Sequence, residues 1–100
     1  MDNLHIRQLE FAWSPEKDRA NLQKHGVGFA KAAMAFLDRR AGLYHDPEHS
    51  DTEDRYILLG MSEKARLLVV CHCYRKNDTI IRLISARKAG AQEFSEYGQD

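Results

Sequence analysis

The chain has 100 residues, 43% of them hydrophobic, and its 15 basic and 15 acidic side chains cancel. That composition suits one small folded domain, residues 1–100, and excludes a disordered chain. No run approaches the roughly 18–20 apolar residues that cross a bilayer, and the N-terminus lacks the apolar core of a secretory signal, so a cytoplasmic protein without membrane contact is expected.

Charge is unevenly spread. Residues 54–88 carry eight bases against three acids, residues 41–53 four acids and no base, and residues 89–100 three acids. A positive middle on a neutral chain can draw a polyanion locally, without the broad field of many nucleic-acid binders.

LEFAW (9–13) alternates Leu9, Phe11 and Trp13 on one side and reads as a short first strand. Ser14-Pro15-Glu16 then starts a helix: a serine N-cap, proline at the first helical position and an acid in the first turn. That helix is expected to stop at Lys24-His25-Gly26, where cations complement the dipole and glycine takes the left-handed cap. Lys17, Asn21 and Lys24 form a polar stripe on it, open to three readings: a solvated face, RNA contact or partner docking. A second helix, about 29–37, places Phe29, Ala33, Phe36 and Leu37 on one face. Four strands follow, GLYHD, RYILLGM, RLLVVCHCY and TIIRLISAR, joined by short turns in an antiparallel meander. A short helix closes the chain at about 90–97, where Glu93 can reach back to Gly90 in a capping box. The class is α+β, with helices on one face of the sheet.

Loop length sets strand register. A four-residue loop Ser62–Ala65 puts Met61 opposite Arg66 and Arg55 opposite His72. A three-residue loop Lys76–Asp78 puts Arg75 opposite Thr79 and His72 opposite Arg82. Arg55, His72 and Arg82 then form one row across three strands. Tyr56, Leu58, Leu67, Val69, Cys71, Cys73, Ile81 and Leu83 share the other face, under the helices. Two arginines beside a histidine can bind a phosphate and move a proton near neutral pH; the same row also suits solvated polar residues. Arg87 and Lys88 can reach a phosphate or simply end a strand. YHDPEHSDTED mixes histidines and acids, but has no metal-ligand spacing and reads as an ordinary turn. Cys71 and Cys73 are expected as free thiols on one face of their strand, and His72 between them points away, so no metal site forms there.

Phe11-x-Trp13, Lys17, Asn21, Lys24-His25-Gly26-Val27 and Phe29, followed by ISARKA (84–89), Glu93 and Tyr97, resemble the BrnT family of toxins. The resemblance implies a RelE-like fold and a ribonuclease toxin of a type II toxin–antitoxin pair that cuts RNA with basic and proton-transferring side chains, needing neither metal nor cofactor. Its implied partners are a BrnA-like ribbon-helix-helix antitoxin, an RNA substrate and, only through the antitoxin, promoter DNA. On this reading Arg55, His72 and Arg82 are the expected catalytic residues, with Lys24, Arg87 and Lys88 as RNA contacts. The competing class is a non-catalytic toxin-like module that binds an antitoxin; the thin basic character and the acidic last helix favour it.

Overall fold

A computed structural model describes residues 1–63 and 66–98. Six strands form one mixed sheet, in the order β1-β2-β6-β5-β4-β3. They are β1 (Asp2–Ile6), β2 (Leu9–Trp13), β3 (Gly42–His45), β4 (Tyr56–Met61), β5 (Leu67–Arg75) and β6 (Ile80–Lys88). β3, β4, β5 and β6 each pair antiparallel with the next, whereas β2 joins β6 in parallel over three residue pairs. LEFAW is therefore the second strand, and β1 folds back on it as an edge hairpin.

The two helices after β2 follow local chemistry. In α1 (Pro15–His25), the Ser14 hydroxyl accepts from the Lys17 N–H, and Gly26 at φ 71° closes the helix by donating to the Leu22 carbonyl. In α2 (Phe29–Met34), extended by a 3-10 turn over Ala35–Leu37, Gly28 offers no capping side chain. The Asp18 carboxylate of α1 substitutes, accepting from the Phe29 N–H at 2.8 Å. Asn21, expected on a polar stripe, is buried. Its amide donates to the Val27 and Ala86 carbonyls at 2.8 Å, and its oxygen accepts from the Ala86 N–H at 3.1 Å. β2 pairs with β6 only as far as Arg82, so Asn21 supplies the partner that the β6 backbone lacks beyond that point.

The main core lies between the sheet and α1–α2: Phe11, Phe29, Leu68 and Val70 are wholly buried there with Leu58, Ile81 and Leu83. Phe11 meets Phe36 edge-on at 5.2 Å between ring centres. A smaller cluster, Leu59, Leu67 and Val69 with Tyr97, sits on the other face. There α3 (Ala91–Glu96) closes one end of the sheet. The Gly90 N–H donates to Glu93 at 2.6 Å, as the capping box requires, and the Tyr97 hydroxyl donates to Asp38.

The register differs from expectation at both hairpins. Met61 lies opposite Leu67 rather than Arg66, and Arg75 opposite Ile80 rather than Thr79. Each connection is one residue longer than expected. Lys64 and Ala65 of the expected Ser62–Ala65 loop lie outside the described residues. The second turn carries Lys76, Asn77 and Asp78 at φ 50°, 55° and 66°. Consequently His72 faces Tyr56 and Leu83, and Arg82 faces Cys73. The face assignment of β5 reverses with it: Leu68, Val70 and His72 turn to the helices, and Leu67, Val69, Cys71 and Cys73 turn away. β5 is apolar on both faces, so alternation along it does not choose between them.

A bulge then changes β6. Cys71 pairs with Ser85 and His72 with Leu83, leaving Ile84 as the extra residue. Before it, even-numbered residues face away from the helices; after it, odd-numbered ones do. Arg82 and Arg87 thereby share the face away from α1 and α2, helix-free but for α3 at one end.

Candidate functional site

The row Arg55–His72–Arg82 does not form, and His72 stands apart from the two arginines. Its ring is wholly buried on the helix side, 4.8 Å from Phe36 and 5.3 Å from Tyr74 between ring centres. Nδ1 lies 3.1 Å from the Val70 carbonyl, which can only accept, so it carries the hydrogen, and Nε2 lies 3.3 Å from the Tyr74 hydroxyl. Burial pushes its pKa down to about 4, against the smaller opposing effect of the Val70 carbonyl. A neutral ring with both nitrogens occupied is a core residue, and it meets no solvent-borne substrate.

The arginines lie on the helix-free face, in two depressions along β5. The first, about 290 Å³, is lined by Arg55 before β4, Cys71 of β5, Ser85 and Arg87 of β6, His25 from the end of α1, and Asp46 and His49 from the loop before β4. The second, about 360 Å³, is lined by Arg75, Lys76 and Arg82 with Asn3 and Ala12. Of the expected catalytic residues, Arg55 and Arg82 thus share a face, in neighbouring hollows. Of the expected RNA contacts, Arg87 is in the first hollow. Lys24 is exposed on α1 beside His25, and Lys88, opposite Leu68, turns to the other face from Arg87.

Carboxylates hold most of these cations. Glu53 binds Arg75 and lies 4.0 Å from Arg55. The Arg75 hydrogen bond keeps the Glu53 carboxyl below the usual carboxylate range, helped by the charges of Arg55 and Arg82. Glu93 takes Arg87 in a two-pronged pair at 3.1 and 3.0 Å, and its pKa is held at about 2 by that bond and the Gly90 N–H. Arg82 has no ion-pair partner among the described residues, and the Arg55 Nε is buried without a hydrogen bond. Burial pushes the Cys71 and Cys73 thiols up, so neither is a ready thiolate at neutral pH. Among the described residues no three His, Cys, Asp or Glu side chains converge as metal ligands.

His25 and His49 are the residues that sequence reasoning missed as a pair. His25 was explained by helix termination and His49 by an ordinary turn, and only the closed fold brings them to one cavity. The available signal was the pairing of His49 with Asp46 three residues earlier.

The molecule is thus a small α+β scaffold with guanidinium and imidazole groups on one open sheet face. The fold matches the crystal structure of the Brucella abortus ribonuclease toxin, BrnT, with a TM-score of 0.61 and 21% identity over 80% of this chain and 95% of that one. No curated protein matches the chain significantly in sequence. Residues 13–93 match the family described as the ribonuclease toxin, BrnT, of type II toxin–antitoxin systems, and the chain belongs to that family. An antitoxin partner follows from this membership. Among the described residues no helix is long and apolar enough to cross a membrane.

Proposed function

We propose that this chain is a RelE-like, metal-independent endoribonuclease that inhibits translation in the cytoplasm, and that a BrnA-like ribbon-helix-helix antitoxin neutralises it. Promoter DNA is contacted only through that antitoxin. The observation that carries the reading is the bulge at Ile84, which sets Arg82 and Arg87 on the same helix-free face as Arg55. Arg82 and Arg55 bind the scissile phosphate and stabilise the charge it gains, Arg87 and Lys24 hold flanking phosphates, and Lys88, turned to the other face, takes no part. His72 takes no part, because its ring is enclosed.

A second reading, a non-catalytic module that only binds an antitoxin, is favoured by the glutamates: Glu53 and Glu93 already occupy Arg75 and Arg87. Antitoxin-free protein incubated with end-labelled RNA in EDTA separates the two. Cleavage by the wild type, reduced about 100-fold or more by Arg82→Ala at equal thermal stability, supports the nuclease and its site. Equal cleavage by both leaves the enzyme but removes Arg82 from it. No cleavage by folded wild type, with or without ribosomes, supports the binding module.

A further inference from the structure

The loop from Asp46 to Arg55 is tied at its neck. The Asp46 N–H donates to the Arg55 carbonyl at 2.8 Å, and the Ser50 hydroxyl donates to the Asp46 carbonyl at 2.6 Å while accepting from the Arg55 N–H at 2.9 Å. A 3-10 turn over Pro47–His49 sits inside it. His49 is thereby fixed relative to Arg55 although it lies on a loop. Its Nδ1 is 2.8 Å from Asp46 Oδ2. A carboxylate only accepts, so Nδ1 carries the hydrogen and Nε2 keeps a lone pair. Such an exposed pair contributes little to folding, and the 63% exposure of His49 leaves Nε2 reachable. His25, at the end of α1, lines the same cavity.

We propose that His49, oriented by Asp46, is the general base of RNA cleavage in this groove, and that His25 is the proton donor. This rests on the ribonuclease reading above. His49 Nε2 takes the proton of a 2′-hydroxyl as its oxygen bonds to phosphorus. The bond from phosphorus to the 5′-oxygen breaks, and that oxygen leaves with the proton of the His25 imidazolium. The products are a 2′,3′-cyclic phosphate and a 5′-hydroxyl. His49 has gained the proton that His25 lost, and exchange with water restores both. Arg55, within the same cavity, faces the phosphate as it gains charge.

The test uses the full chain free of antitoxin, a short RNA with one cleaved bond, and the same RNA with a single 2′-deoxy sugar at that bond. Wild type, His49→Gln, His25→Gln and Asp46→Asn are compared in EDTA, with RNA affinity measured separately by fluorescence anisotropy. His49→Gln and His25→Gln should each lower kcat by about 100-fold or more, with affinity within about twofold. Asp46→Asn should lower kcat by about tenfold with RNA affinity within about twofold, because the imidazole loses the carboxylate that fixes its tautomer and orientation. The groups facing His49 are Asp46 on its own loop, Arg55, Cys71 of β5, Arg87 of β6 and His25 of α1. A merely structural dyad would alter melting temperature or affinity and leave kcat at saturating RNA in place. His49→Gln cleaving within about threefold of wild type overturns the dyad and leaves the nuclease standing. So does cleavage of the 2′-deoxy substrate. Folded wild type that cleaves nothing overturns the nuclease reading, and the dyad with it.

Discussion

The two faces of the sheet treat the same residue types in opposite ways. Under α1 and α2, His72 is dehydrated, neutral and satisfied at both ring nitrogens by Val70 and Tyr74. On the helix-free side, His49 is satisfied at one nitrogen and keeps the other open to a cavity lined by arginines. A histidine's place in a strand pattern therefore says less about its role than the count of its unused nitrogens. The arginines repeat the lesson: Arg75 and Arg87 are held by glutamates, whereas Arg82 has no ion-pair partner among the described residues.

The largest effect should come from the covered face. Phe11→Ala, which empties a wholly buried site against Phe36, should cost about 3–5 kcal/mol in urea denaturation. A loss below about 1 kcal/mol would mean that this face is not the principal core. The next effect is pH-dependent. The folded-state pKa of His72, about 4, lies below its ordinary 6.5, so the unfolded chain takes up the proton first. Stability should be full above about pH 6.5 and fall by on the order of 3 kcal/mol as pH drops to about 4. His72→Phe should flatten that part of the curve in denaturation at several pH values; an unchanged curve would mean that His72 titrates freely in the folded protein. The smallest effect belongs to the helix-free face. Glu93 adds stability above its ordinary pKa of 4.5 that is lost as pH falls towards about 2. Because the Arg87 pair is only partly buried, Glu93→Gln should cost under about 1 kcal/mol. It should also free Arg87 for phosphate and steepen the salt dependence of RNA binding. An unchanged slope would mean that Arg87 stays out of RNA contact even when released.

What was legible in the sequence was local. Ser14, Pro15 and Gly26 marked both ends of α1, and the apolar runs located β4, β5 and β6 to within a residue or so. β1 escaped notice because Asp2, Asn3 and His5 point outward and only Leu4 and Ile6 touch the core. The parallel pairing of β2 with β6 joins segments far apart in the chain and leaves no mark on either. Register failed because Leu67–Val70 is apolar on both faces, so burial could not arbitrate between loop lengths. Of the expected site, Arg55, Arg82 and Arg87 came to one face, but Arg87 did so through a bulge that no residue pattern announced. His49 was hidden by a sufficient simpler explanation, since Pro47 and its polar neighbours make a turn regardless of what the turn carries.

The extra residue at Ile84 makes β6 two half-strands written in opposite phase. Removing one codon there would restore unbroken alternation with Arg82 and Arg87 still on one face, whereas straightening the strand with Ile84 kept would carry Arg87 beneath the helices and lift Ala86 off Asn21. A reading frame of side-chain facing is thus kept by a single irregular position. Any relative lacking that irregularity must encode the downstream arginine one place earlier or later to present it on the same side.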